Sequence, residues 1–206
     1  MDGSEIEMCS KKFFGLLLAG MVLTVPISAF AQNEDYSFLR AVRDRDTNKI
    51  TSSIDQQQSL INTKDYSSGD TALHIVTRAH DIQWLAYFIY KKAKIDLKNK
   101  AGETPLMLAA EIGWTDGAQL LLEGGADPNI TDNSGQTPLI MAVQNHNLPM
   151  VRVLIDNHAD PKITDHIAGR SARDYAEQDN RSNAILKVLD EAKPTQKKIM
   201  MGPRPR

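Results

Sequence analysis

Three glycines, Gly69, Gly102 and Gly135, stand 33 residues apart, and Gly169 follows after 34. The residues around them return with them. The copies read Gly69-Asp70-Thr71-Ala72-Leu73-His74, Gly102-Glu103-Thr104-Pro105-Leu106-Met107 and Gly135-Gln136-Thr137-Pro138-Leu139-Ile140, with a looser Gly169-Arg170-Ser171-Ala172-Arg173-Asp174. A second register keeps the period: Ala93-Lys94-Ile95-Asp96, Ala126-Asp127-Pro128-Asn129 and Ala159-Asp160-Pro161-Lys162 are also 33 apart. A unit this short buries too little apolar surface to fold alone. A regular period near 33 therefore requires units that stack and cover one another's apolar faces.

Each letter of the repeat has a mechanical reading. The glycine ends a tight turn in a conformation with positive φ. The threonine hydroxyl caps a first helix, and proline at the first helical position has φ pre-set and no N–H to waste. Leu106, Ala109 and Ala110 then face a neighbour, the alanines allowing close approach. A second helix runs from Thr115 to Glu123 with Ala118, Leu120, Leu121 and Leu122 apolar, and Gly124-Gly125 stops it in a left-handed cap. Ala126 to Asp132 runs extended into the next turn. The expected fold is an all-α repeat solenoid of helix-turn-helix units joined by β-turn fingers.

This sequence of turn, Thr-Pro-Leu, paired alanines, second helix and Gly-Ala-Asp-x-Asn resembles the ankyrin repeat. Residues 100–132 match the pattern most completely. In 133–165 His158 replaces the cap glycine, and in 67–99 Lys92 does. The resemblance runs from about residue 36 to 192 and assigns an N-terminal cap at about 36–66, repeats 67–99, 100–132 and 133–165, and a C-terminal cap at 166–192. The N-terminal cap carries Phe38-Leu39-x-Ala41-Val42, then Ile50 and Ile54, with Asp55 to Ser59 expected as a loop. In the C-terminal cap Arg173 stands where Leu106 and Leu139 stand, and Lys187 where Leu120 stands. A final unit has one face in water, so polar replacement there fits a cap. Tyr175, Ile185, Val188 and Leu189 are expected to pack inward. Two fingers, Asp65 to Gly69 and Asp165 to Gly169, are one residue longer than Asp132 to Gly135.

For function, the resemblance implies a protein-binding stack acting as a monomer. Its fingers and first helices would line a concave groove, with side chains beside the turn glycine and at the end of the first helix free to vary. Those positions are Asp70, Arg78, Lys100, Glu103, Glu111, Asn133, Gln136, Gln144, His166 and Arg170. They carry both charge signs, which suits a protein partner with a complementary polar surface. His74 falls where the family uses an imidazole to join neighbouring turns. His80 and His146 align with Gly113 between the helices, and Trp84, Tyr87 and Phe88 align with core positions.

Chemistry is sparse. The chain has no Gly-x-Ser-x-Gly, phosphate loop, dinucleotide fingerprint or His-Glu-x-x-His. Cys9 is the single cysteine, so no intrachain disulfide or multi-thiolate zinc site exists. His158, Asp160, Asp165 and His166 are the one local set of metal-like letters, on a finger rather than at helical spacing. The expectation is a non-catalytic chain with no cofactor and no metal. The alternative is a small metal-dependent enzyme using the 158–166 finger. The formal net charge of −2 argues against nucleic acid as a partner.

The N-terminus reads as an address. Lys11-Lys12 precede an uncharged stretch from Phe13 to Ala31, apolar up to Val25, broken by Pro26 and ending Ala29-Phe30-Ala31. A basic start, a short apolar middle and a small-x-small end make a secretory signal peptide, residues 1–31, with cleavage expected after Ala31 and either Met1 or Met8 as the start. The apolar portion is short for a membrane span of about 20 residues. The expected location is the periplasm, the alternative a secreted effector that binds a host protein. Residues 193–206 carry five basic groups and no acid, and are expected to form a disordered tail with at most weak contact to anionic membrane.

Overall fold

The computed structural model describes residues 27–179 and 182–192. The leader up to Pro26 and the basic tail 193–206 lie outside the described residues. The chain divides into two units, Met1–Glu34 and Asp35–Arg206. Of the first, only the start of α1 is described. The second holds the repeats.

Among the described residues there are ten α-helices and no strand, only an isolated antiparallel bridge between Thr164 and Ser171. They run α1 (Ile27–Asp44), α2 (Thr47–Gln56), α3 (Ala72–Arg78), α4 (Ile82–Tyr90), α5 (Pro105–Glu111), α6 (Thr115–Glu123), α7 (Pro138–Gln144), α8 (Leu148–Asp156), α9 (Ala172–Gln178) and α10 (Asn183–Glu191). A 3-10 turn, Gln58–Asn62, follows α2. The polar segment expected as a loop is therefore mostly structured. Asp55 and Gln56 finish α2, and the 3-10 turn carries Leu60 and Ile61 into the core, where they are buried.

Four helix pairs repeat one plan: α3 with α4, α5 with α6, α7 with α8, α9 with α10. First helices pack on first helices along the stack, α3 on α5 on α7 on α9, and second helices do the same, α4 on α6 on α8 on α10. Seven-residue first helices are too short to hold alone and depend on caps and packing. The caps are those the repeat letters announce. Thr104 and Thr137 hydroxyls accept from the Met107 and Ile140 amides at 3.3 and 3.2 Å, with Pro105 and Pro138 at the first helical position. Ser171 caps α9 and the Asp174 carboxylate reaches back to the Ser171 N–H at 2.8 Å.

Burial follows the stack. In α5 every residue from Pro105 to Ala110 is buried, and in α7 every residue from Pro138 to Val143. The N-terminal unit joins through Phe38, whose ring meets Phe88 edge-on at 6.5 Å, beside Trp84 and Tyr87. At the other end Ile185 and Leu189 are buried, Tyr175 and Val188 pack against the core, and Arg173 and Lys187 are exposed. Arg173 pairs there with Asp190 and Glu177.

Candidate partner-binding face

The fingers are stitched together at their tips. Lys100 N–H donates to Ser68 C=O at 2.9 Å, Asn133 to Ala101 at 3.2 Å and His166 to Ser134 at 2.8 Å, one bond per junction. Each of these residues packs its own backbone and side chain on the turn glycine of the preceding finger. A Cβ at Gly102 would lie 2.6 Å from the Asn133 nitrogen, and one at Gly135 would lie 2.7 Å from the His166 nitrogen. Those glycines have φ of +83° and +81°, so both conformation and contact require them.

At the start of each finger an Asp or Asn carboxyl or amide oxygen gathers the turn amides. Asp132 Oδ1 accepts from Ser134 and Gln136 N–H, both at 2.8 Å, and Asn99 Oδ1 from Ala101 and Glu103. Asp65 takes the Ser67 hydroxyl and amide, the Ser68 amide and the Arg43 guanidinium at 2.6 Å. The Ser67 hydroxyl, then Arg43, hold its carboxyl well below the usual carboxylate range. Asp165 accepts from Tyr175 Oη–H and from three amides, which lower its pKa in that order.

His74 has no exposed surface. The Thr71 N–H points at its Nδ1 at 3.2 Å, so Nδ1 accepts and Nε2–H donates to the Glu103 carbonyl at 3.0 Å, in the next repeat. Burial pushes the imidazole pKa down from 6.5, against the raising effect of that carbonyl. His80 and His146 have φ of 52° and 54° where Gly113 has 74°. His146 also lies 3.1 Å from the Asp179 carboxylate. Lys92 and His158 take φ of 66° and 69° where Gly125 has 99°.

The ten expected partner-binding residues divide into two kinds. Asp70, Arg78 and Glu103 form one cluster: Arg78 lies 3.7 Å from Asp70 and 3.8 Å from Glu103, and the Asn99 amide donates to both carboxylates, at 3.1 and 2.8 Å. Asn133 is pinned by its amide to the Lys100 carbonyl at 3.0 Å, and the Lys100 ammonium donates to the Tyr66 carbonyl at 2.6 Å. Arg170 lies 5.8 Å over the Tyr175 ring. Lys100, Glu111, Asn133, Gln144 and His166 remain exposed, while Gln136 is half-buried.

Sequence reasoning missed Asn99, which bridges the two carboxylates, and Tyr66. The longer fingers explain Tyr66 and Ile167. In the first, Gly69 N–H closes on Asp65 C=O four residues back, whereas Gly102 and Gly135 close on residues three back. The added residue pushes large side chains outward: Tyr66 is 91% and Ile167 79% exposed. Finger length was the feature that pointed to them.

The four metal-like residues do not converge. Asp165 is spent on its own finger and Tyr175, Asp160 Oδ1 on the Lys162 amide, and the His166 ring on Gly135. Among the described residues no group of three or more His, Cys, Asp or Glu is placed to hold a metal. A cavity of about 360 Å³ between α8 and α10 is lined by Arg152, Ile155, Asp156, His158, Val188 and Glu191.

A family profile described as ankyrin repeats (3 copies) matches residues 38–132, 73–165 and 115–198. The chain belongs to the ankyrin repeat family. Over 64 residues, 31% of this chain and 2% of the relative, it is 41% identical to the ankyrin repeat and KH domain-containing protein mask-1 of Caenorhabditis elegans. Over 60 residues, 29% of this chain and 3% of the relative, it is 40% identical to the poly(ADP-ribose) polymerase tankyrase of the same organism. Over 71 residues, 34% of this chain and 10% of the relative, it is 35% identical to the mitochondrial disaggregase of Bos taurus. The chain thus spans a tenth or less of these relatives' lengths. Ankyrin repeats are a protein–protein interaction module, generally without catalysis.

Proposed function

We propose that this ankyrin stack is exported to the periplasm and there binds another protein, as scaffold, protector or inhibitor, through the face built by its fingers and first helices. The observation that carries the reading is how that face is made. Its backbone is fixed by one hydrogen bond per junction and by glycine contacts, while Lys100, Glu111, Asn133, Gln144 and His166 stand outward on it. A pre-set array of polar groups loses little freedom when a partner docks. The absence of large aromatic anchors among these residues, Tyr66 aside, suits moderate affinity.

Export rests on Lys11-Lys12, the apolar Phe13 to Val25 and Ala29-Phe30-Ala31. Cleavage after Ala31 would fall inside α1 but ahead of Phe38, Leu39, Ala41 and Val42, the residues that α1 buries, so the stack keeps its N-terminal cap. The processed chain would lack cysteine, as suits an oxidising compartment. The basic tail adds weak attraction to anionic lipid, and the stack acts as a monomer.

The test is affinity capture of the tagged chain from the periplasmic fraction, with N-terminal sequencing of the captured protein. The expected start is Gln32. A Lys100→Glu, Glu111→Lys double variant is expected to lose the partner by tenfold or more with its melting temperature unchanged, since both side chains are exposed. Glu103 is a poorer choice, being tied to Asn99. An intact leader on protein retained in the cytosol would contradict the export reading. Undiminished capture by the double variant would move binding off this face.

A further inference from the structure

We propose that the outward face of α4 is a second docking site, separate from the finger face, and that its occupant is an acidic amphipathic helix of another protein. Three observations converge on it.

The first is what α4 lacks. Its nine residues, Ile82 to Tyr90, include no charged side chain. The other second helices carry charges outward: Asp116 and Glu123 on α6, Arg152 and Asp156 on α8, Lys187, Asp190 and Glu191 on α10. The last residue of each second helix makes the point. It is Glu123, Asp156 and Glu191 in the other three, and Tyr90 in α4. Stacking does not call for this, because Leu85 and Phe88 already bury the inner face. Outside stand Ile82, 43% exposed, Gln83, Ala86 and Tyr90, 78% exposed.

The second is the charge that follows. Lys91, Lys92 and Lys94 come directly after Tyr90. Lys91 lies 3.5 Å from Asp55 and 5.7 Å from the Tyr87 ring centroid. Lys92 and Lys94 are exposed and make no ion pair among the described residues. Lys92 also occupies a left-handed position, φ 66°, where the next repeat has glycine. A side chain there costs about 1–2 kcal/mol.

The third is shape. Ile82, Ala86 and Tyr90 fall at i, i+4 and i+8, the ridge that interdigitates with a second helix at about −50°. Ala86 at its centre permits close approach, with Ile82 and Tyr90 as anchors at either end. An apolar stripe from the partner would lie on this ridge, with its carboxylates over Lys92 and Lys94. A flat anionic bilayer fits less well. α6 packs beside α4, and exposed Asp116, Glu123 and Asp127 would be pressed toward lipid phosphates. A single helix can cover α4 without reaching them.

The test titrates the full chain, labelled with nitrogen-15, with a synthetic 16-residue Leu/Glu amphipathic peptide, with its Lys-for-Glu analogue, and with phosphatidylglycerol vesicles. The acidic peptide is expected to shift the amides of residues 82–94 and to bind at least tenfold more tightly than the basic one. Tyr90→Ser and the Lys92→Glu, Lys94→Glu double variant should each weaken it tenfold or more, and Lys100→Glu, Glu111→Lys should leave it unchanged. Melting curves confirm that each variant is folded, and Ala86→Arg, which fills the ridge, gives an independent block. Equal binding of both peptides, no binding, or shifts on the fingers would overturn the proposal. Binding to vesicles alone would replace the helix with lipid, and self-association without peptide would replace it with a second copy.

Discussion

Residues 100–132 and residues 166–192 share one backbone plan and differ in neighbours. In the first, α5 has a packed helix on either side, α3 and α7, and Pro105 through Ala110 all disappear from solvent. In the second, α9 has α7 on one side, and only Ala172 and Ala176 are buried in it. The side chain at one position changes from Leu106, fully buried, to Arg173, exposed and paired with Asp190. The helix, its hydroxyl cap and the turn glycine persist through that change. Local structure in this chain is thus set by turn and cap residues, and stability by how many neighbours a unit has.

The sharpest test of the comparison removes the same position from each unit. Leu106→Ala leaves a cavity flanked by two helices and is expected to cost about 3–5 kcal/mol. Arg173→Ala removes only exposed ion pairs, and its denaturation midpoint should coincide with that of the parent. Chemical denaturation of both variants checks this. Comparable losses would mean that the cap is packed as an interior unit is.

The turn glycines give the next largest contrast. At Gly102 an alanine meets the Asn133 backbone at 2.6 Å and a φ of +83°, so strain and overlap together should cost about 2–4 kcal/mol. At Gly169, φ +64°, nothing lies within 4 Å of the added Cβ, and the cost should fall to about 1 kcal/mol. Equal melting temperatures for the two alanine variants would break the claim that finger contact, rather than conformation alone, fixes the interior glycines.

A smaller effect separates the His74 unit from the rest. At the position of His74 the later units carry Met107, Ile140 and Asp174, and only His74 bonds into the next repeat. Its folded pKa is depressed below 6.5 by burial. The unfolded chain therefore binds the proton more readily, and stability falls as pH drops from about 6.5 toward the folded value. The loss is bounded by one proton's slope, about 1.4 kcal/mol per pH unit. Urea midpoints at pH 7.5 and 5.5 should differ in the parent, and the difference should shrink in His74→Gln. An unchanged difference would assign the slope to other groups.

The smallest predicted change is at Thr77, aligned with Ala110 and Val143. Its hydroxyl is buried with no hydrogen-bond partner among the described residues. Thr77→Val removes an unsatisfied group and keeps the shape, so stability should hold or rise by up to about 1 kcal/mol. A loss would show that the hydroxyl is satisfied in solution.

Where the repeat letters recur, the fold was legible. The bounds of α6, the threonine caps, the left-handed His80, His146, Lys92 and His158, and the polar side of the last unit were all read from local chemistry, because each depends on a residue's own φ or hydroxyl. Reasoning from letters failed at Asp55 to Ser59, where a polar composition concealed a helix end and a 3-10 turn held down by Leu60 and Ile61. The candidate face was legible as a set of positions but not as a set of partners. Asn99 between Asp70 and Glu103, and Lys100 on the Tyr66 carbonyl, join residues about 30 apart through space. The outward Tyr66 and Ile167 depend on one added turn residue, whose geometry composition does not reveal.

The central claim is that the finger and first-helix face grips the partner. Its most direct test places a photo-crosslinking amino acid singly at Glu111, at Gln144 and at Arg152, all exposed, the last on second helix α8. Irradiation in the native compartment should give a crosslinked partner from positions 111 and 144 and none from 152. A crosslink from 152 with none from 111 or 144 would contradict the account.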